Sequence, residues 1–160
     1  MPELTITIPG APKPQGRPRF VRHGAFVSTY DPSAKDKKRI RDIAATQIKA
    51  PLEGPLSLNA RFYMPISKGT SKKKSAAMEG EPMVKAIDLD NMVKECTDAL
   101  NGLAYADDKQ IWHIEAEKVY SHDPRTVLAF RTDGRAPSLA QVALSLMASA
   151  DVPPSDDNAT

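Results

Sequence analysis

The side chains best suited to chemistry lie between Asp88-Leu89-Asp90-Asn91 and Asp107-Asp108-Lys109-Gln110. From Ala86 to Lys118 the chain carries eight carboxylates (Asp88, Asp90, Glu95, Asp98, Asp107, Asp108, Glu115, Glu117) against three basic residues, Lys94, Lys109 and Lys118. Asp88 and Asp90 are two apart, so an extended segment projects both from one face, close enough to repel. A divalent cation between that pair and a phosphate turns repulsion into attraction. Mg²⁺ is commonly held by one or two carboxylates, with waters and substrate oxygens completing its shell. The plainer reading is an Asp helix cap followed by an Asp-rich turn. An ordered set of D-x-D, a lysine one turn on and a returning D-D favours the metal.

These residues need elements to hold them. Met92, Val93, Cys96, Ala99, Leu100 and Leu103 recur at helical spacing, which predicts a helix with Asp90 or Asn91 as N-cap and Asn101-Gly102 as its stop. Lys94 then stands one turn beyond Asp90, within reach of the same pocket. A short loop, Leu103 to Ala106, returns the chain to Asp107-Asp108 ahead of a strand.

At this point the residues resemble a family. Asp88-Leu89-Asp90-Asn91-x-x-Lys94-x-x-x-Asp98-Ala99-Leu100-Asn101-Gly102, followed by Tyr105-x-Asp107-Asp108-x-Gln110-Ile111, is similar to the core signature of the RusA-type Holliday junction resolvases. The resemblance extends more weakly from Leu4 to Arg131. It implies a Mg²⁺-dependent, homodimeric endonuclease of bacteria or their phages, with Mn²⁺ as a substitute metal and branched DNA, a four-way junction, as substrate. Carried over residue by residue, it makes Asp88, Asp90 and Asp108 the metal-ligand carboxylates, with Asp107 an adjacent fourth candidate. It makes Lys94 the catalytic lysine, with Asn91 and Gln110 orienting ligands from behind. No small-molecule cofactor is implied. Two other readings stay open: a Mg²⁺-dependent nuclease for flaps or other branched DNA, and a non-catalytic DNA-binding protein whose acids only cap helices.

The basic residues lie upstream. Residues 1–85 carry sixteen Lys/Arg against seven Asp/Glu, whereas residues 86–160 carry six against thirteen. A basic half beside an acidic centre suits an enzyme that grips a polyanion by its phosphates and cuts it with metal ions. Ala11 to Phe20 is too proline-dense for a helix and reads as a stiff extended arm. It resembles the G-x-P-x-x-K-G-R-P-R-F opening of a phage-rich branch of the family, with Gln15 where lysine is usual. Lys13, Arg17, Arg19 and Arg22 can track a DNA backbone from it, with Phe20, Phe26 or Tyr30 available for stacking. A second basic stretch, Lys72-Lys73-Lys74, precedes the acidic motif. There the family often reads K-P-D, and this chain reads Lys85-Ala86-Ile87-Asp88.

Further elements complete the plan. Leu4 to Ile8 alternates as a strand, and Pro32 to Ile48 is helical with a cationic face that looks short of acidic partners. Leu56 to Met64 alternates as a half-buried strand. Gln110 to Tyr120 and Arg125 to Thr132 read as two strands joined by the turn Ser121-His122-Asp123-Pro124, with Trp112, Ile114 and Ala116 lining one face of the first. The order predicts an α+β (or α/β) domain with one mixed sheet. It divides into an endonuclease-like domain over 1–135, an amphipathic helix over 136–150 and a disordered tail over 151–160. Cys96 is the sole cysteine and sits on the apolar helix face, which excludes an intramolecular disulfide and a Cys-based zinc site. No signal peptide is evident and no apolar run approaches the roughly 18 residues of a membrane span, so a cytoplasmic protein is expected, of bacterial host, phage or prophage origin.

Overall fold

The computed structural model describes residues 4–85 and 87–132. Along them run β1 (Leu4–Pro9), β2 (Arg19–His23), β3 (Phe26–Tyr30), α1 (Ala34–Ala45), β4 (Leu56–Pro65) and α2 (Lys72–Met78). Then come α3 (Leu89–Leu100), a 3-10 turn (Asp108–Gln110), β5 (Ile111–Ser121) and β6 (Arg125–Thr132). Four strands form one mixed sheet in the order β1-β6-β4-β5, and β2 pairs with β3 in a separate ribbon. This is the α+β domain that the sequence predicts. The expected 136–150 helix and the 151–160 tail lie outside the described residues.

β4 is the centre of the sheet for a simple reason. Its alternate residues Leu56, Leu58, Ala60, Phe62 and Met64 are all within 2% of full burial, and a strand that apolar gains most from a neighbour on each side. It pairs antiparallel with β6 and parallel with β5. The parallel pair requires a crossover connection, which α2 and α3 provide. Consequently the expected β5–β6 hairpin does not form. The turn after Ser121 instead carries the chain past the end of β4, where Pro65 stands opposite Ser121.

The helices α1 and α3 cover one face of the sheet, where Ile6, Ile40, Met92, Leu100, Leu128 and Phe130 meet. The other face is polar at its middle. Arg61 pairs with Glu117 at 2.9 Å, and the Arg125 guanidinium stacks 3.6 Å over the Tyr63 ring. β5 is an edge strand, and its first half lacks cover. Trp112 and Ile114 are therefore 59% and 47% exposed rather than lining a buried face.

The arm also departs from expectation. It is extended only as far as Pro18; the chain then folds into the β2–β3 hairpin through Gly24-Ala25, with His23 opposite Phe26. All ten hairpin residues are exposed. The extended part is pinned at Gly16, whose amide donates to Ser33 Oγ at 2.5 Å. A Cβ there would stand 2.5 Å from Pro32 Cγ, so only glycine lets the arm lie this close to the start of α1.

The cationic face of α1 has more acidic partners than its own sequence offers. Lys37 reaches Asp31 at 3.0 Å and Asp98 at 3.7 Å. Lys38 pairs with Asp42 and Arg39 with Asp36. Arg41 donates to the carbonyls of Ala99 and Asn101 at the C-terminal end of α3, where the helix dipole favours a cation. Most of this face therefore holds the domain together. Among the described residues no helix is long and apolar enough to cross a membrane.

Candidate active site

Asp88, rather than Asp90 or Asn91, is the N-cap of α3. Its backbone is extended (ψ 127°), while Leu89 and Asp90 already belong to the helix. The D-x-D pair therefore straddles a helix N-terminus instead of lying along a strand. That location is electrostatically favourable, since the unsatisfied amides of the first turn carry partial positive charge. Both carboxylates are exposed. Asp88 Oδ2 accepts only a long 3.5 Å contact from Asn91 Nδ2. Asp90 has no ion pair or side-chain hydrogen bond among the described residues.

Asp88, Asp90 and Lys94 line one open depression of about 780 Å³. Leu89, Val93 and Thr97 of α3 complete one wall, Ile87 and Lys118 close an end, and Ile114 and Ala116 of β5 form the opposite wall. Lys118 Nζ donates to the Ile87 carbonyl, tying the strand to the chain just before the motif. Lys94 leans away from Asp90: its ammonium sits 3.3 Å from Asp98 Oδ1, one turn further along.

The returning carboxylates occupy the next turn. Asp107 caps the 3-10 turn, accepting from the Lys109 amide at 2.9 Å in a capping box with Gln110. That backbone hydrogen bond lowers the Asp107 pKa below its usual carboxylate range, and the charge of Lys109 adds to the effect. Gln110 acts as a clamp. Its Oε1 accepts from the amides of Ala106 and Asp107, and its Nε2 donates to the carbonyls of Leu52 and Gly54. Tyr105 fixes the preceding loop, fully buried with its hydroxyl donating to the Thr97 carbonyl at 2.8 Å. Asp108 follows in the turn but does not line the depression. Among the described residues no three His, Cys, Asp or Glu side chains are grouped closely enough to hold a metal ion. Asp88 and Asp90 nevertheless fit a hard divalent cation: all their donors are oxygen, no cation neutralises them, and one or two carboxylates suffice for Mg²⁺.

The candidate DNA-binding residues lie on the arm, the β2–β3 hairpin and α2. Arg19 and Arg22 are on the hairpin and Arg17 just precedes it, all exposed. Lys13 lies 3.7 Å from Asp36. Lys72, Lys73 and Lys74 form the exposed first turn of α2, far along the chain from the arm. α2 itself is anchored by Glu79, which accepts from Ser121 Oγ and the His122 amide.

Sequence reasoning missed two residues. Gln15 joins the arm to the helix that bears the motif: its amide donates to the Asn91 carbonyl at 3.1 Å, and its Nε2 donates to Asp98 Oδ2 at 3.0 Å. Asp98 thereby meets the arm, α1 and Lys94 at once. The second is Glu95, 1% exposed, with neither carboxylate oxygen hydrogen-bonded. Its place three residues after Met92, on the apolar stripe, was the available signal. Burial pushes its carboxyl up from 4.5 to about 7, with Lys37 pulling the other way and Asp36 adding to the rise.

That burial has a consequence for stability. An unfolded Glu95 ionises near its ordinary value while the folded one holds its proton until about pH 7. Stability is therefore unaffected below about pH 4.5, falls between 4.5 and 7, and above that carries a penalty on the order of 3 kcal/mol. Glu95→Gln is expected to stabilise the domain at pH 8 and to make little difference at pH 4. Urea unfolding of both proteins at the two pH values checks this; an equal offset at both shows that Glu95 ionises freely.

Residues 9–131 match the family model described as Endodeoxyribonuclease RusA. The chain is also 37% identical over 137 residues to the uncharacterized protein YqaN of Bacillus subtilis (strain 168), a match that spans 80% of this chain and 95% of YqaN.

Proposed function

The chain belongs to the RusA endodeoxyribonuclease family, and from that premise we propose a Mg²⁺-dependent dimeric enzyme that resolves four-way DNA junctions by paired phosphodiester hydrolysis in recombination and repair. The observation that carries this reading is the shared depression of Asp88, Asp90 and Lys94 at the N-terminus of α3. Asp88 and Asp90 would hold Mg²⁺, which when bound would supply Lewis-acid activation of water and phosphate; Asp108, the third ligand that the family resemblance implies, does not line their depression. The chain's own groups do the rest. The helix N-terminus draws the phosphodiester anion toward the carboxylates. Lys94 swings from Asp98 to the scissile phosphate and offsets the charge that builds on its oxygens in the transition state. Asn91 and the Gln110 clamp hold the two acidic segments in place. Two nicks related by symmetry require two such sites about a two-fold axis, hence the dimer.

The basic arm and ribbon would hold the arms of the junction. Arg17→Ala with Arg19→Ala is expected to weaken junction binding and to flatten the slope of log K against log salt by roughly 2, about 0.9 per lost phosphate contact. An unchanged slope means that these guanidinium groups do not touch DNA.

Cleavage of a mobile four-way junction, a flap and a linear duplex, with and without Mg²⁺, tests the function. Preferential, Mg²⁺-dependent cutting of the junction at symmetric positions is expected. Equal or better cutting of the flap would make this a general branched-DNA nuclease, and no cutting of any substrate would leave a binding protein.

A further inference from the structure

The outer edge of β5 is half covered. Met83 donates to the Lys118 carbonyl, Tyr120 donates to the Glu81 carbonyl and Gly80 donates to the Tyr120 carbonyl, so the segment 80–83 seals the C-terminal half. Among the described residues nothing pairs with the outer edge from Trp112 to Glu117. The amides and carbonyls that reach outward alternate along a strand. Since those of Lys118 and Tyr120 face the sealing segment, those of Ile114 and Ala116 face the open side. Natural edges are blunted by prolines, lysines or bulges that turn them away. This one is bulged at its start, where Leu56 pairs with Ile111 and Ser57 with His113 so that Trp112 is left out of the register. From His113 to Glu117 it is regular, has neither proline nor lysine, and presents Ile114, 47% exposed, with Trp112, 59% exposed, just before it.

We propose that this edge is where two copies of the chain meet, β5 against β5 in antiparallel pairing about a two-fold axis at Ile114. The inference rests on the dimeric resolvase reading and names its interface. The regular part of the edge is self-complementary in that register. Ile114 falls opposite the partner's Ile114 and His113 opposite the partner's Glu115, while the bulged Trp112 comes to lie near the small Ala116 of the partner subunit. No like charges stand directly opposite one another, and the apolar Ile114 pair sits at the centre. Two four-stranded sheets then become one continuous sheet, and the apolar groove between α3 and β5 gains a strand beneath it. The partner also enters the site. Ile114 and Ala116 line the depression that holds Asp88, Asp90 and Lys94, so the partner's Trp112 stands at its rim. The two depressions face the same way, with Ala116 and the partner's Ala116 four residues apart along the strand, about 14 Å.

Cysteine cross-linking in the full chain tests the register. Residues in a hydrogen-bonded antiparallel pair have Cα atoms about 5.5 Å apart, within disulfide range. The native Cys96 is buried with its thiol pushed up to about 12, so it stays silent. Ile114→Cys is expected to form a covalent dimer on mild oxidation. His113→Cys alone should not, whereas an equimolar mixture of His113→Cys and Glu115→Cys, a non-hydrogen-bonded pair with Cα atoms about 4.5 Å apart, should give the mixed dimer. Ile114→Glu, which sets two like charges face to face, should raise the dimer Kd about thirtyfold or more, the span of an interface hot spot, without lowering the Tm of the monomer. A wild-type dimer in sedimentation whose Ile114→Cys variant does not cross-link overturns this interface and leaves the dimeric reading standing. Cross-linking of His113→Cys by itself overturns the register. A wild-type chain that sediments as a monomer at all concentrations, with DNA bound or free, removes the interface and the dimer together.

Discussion

Asp90→Asn is expected to lose junction cleavage while junction binding persists or tightens. The substitution keeps the shape of a side chain that is exposed and without a partner among the described residues, so the fold has little to lose. Its stability cost is that of one acid in the first turn of a helix, about 0.3–1 kcal/mol. Changing groups that merely support metal ligands typically costs about 10–100-fold in affinity or activity, so loss of a ligand itself should exceed roughly 100-fold. Affinity should hold or rise because one repulsive charge beside the phosphate is gone. Single-turnover cleavage in Mg²⁺, paired with a binding titration in which Ca²⁺ replaces Mg²⁺, separates the two effects. Wild-type cleavage by the variant would remove Asp90 from the metal site.

Lys94→Ala should remove most of the activity and little of the stability. The structure gives Lys94 an ion pair with Asp98, and an exposed i,i+4 pair of this kind contributes about 0.2–0.5 kcal/mol. Asp98 keeps Gln15 and Lys37 when Lys94 is gone, so the network around it survives and the test is clean. A group that stabilises transition-state charge is worth roughly 2.7–4 kcal/mol, about 10²–10³ in rate. Lys94→Arg keeps the charge but changes its reach and donor geometry, and only part of the rate should return. A loss under about threefold in the alanine variant, far below that donor range, would make the Asp98 pair the whole role of Lys94.

What the sequence made legible was local. α3 was readable because Met92, Cys96, Ala99 and Leu100 repeat at helical spacing, and β4 because Leu56 to Met64 alternates. The depression at the start of α3 followed from those same residues. What depended on partners distant in sequence was not readable. Nothing near Ser121 to Arg125 announces that β4, some sixty residues upstream, will lie between the two strands they join. The β2–β3 ribbon was hidden because its residues alternate without a buried face, the one signal that marks a strand. The surplus of positive charge on α1 looked unpaired because Asp31 and Asp98 lie outside the helix. Glu95 was counted among the acids of the motif, although its position on the apolar stripe placed it indoors. Asp108 was grouped with Asp88 and Asp90 by resemblance, whereas in the turn that Asp107 and Gln110 build it is not among the residues that line their depression.

The place of β6 between β1 and β4 also bears on how the chain comes off the ribosome. β1 is made first, yet among the described residues its one neighbour in the sheet is β6, whose residues Arg125–Thr132 are made more than a hundred positions later. At synthesis rates of about 5–20 residues per second, Leu4 to Pro9 must wait on the order of 6–25 s for its ladder partner, although Gln47 can already pair with the Thr7 amide and carbonyl on its other edge. Until then β4 lacks one flank as well, and the apolar faces of α1 and α3 have only part of a sheet to cover. The nascent domain thus has no stable half. It closes in one late step, when a single strand arrives and docks on both sides at once.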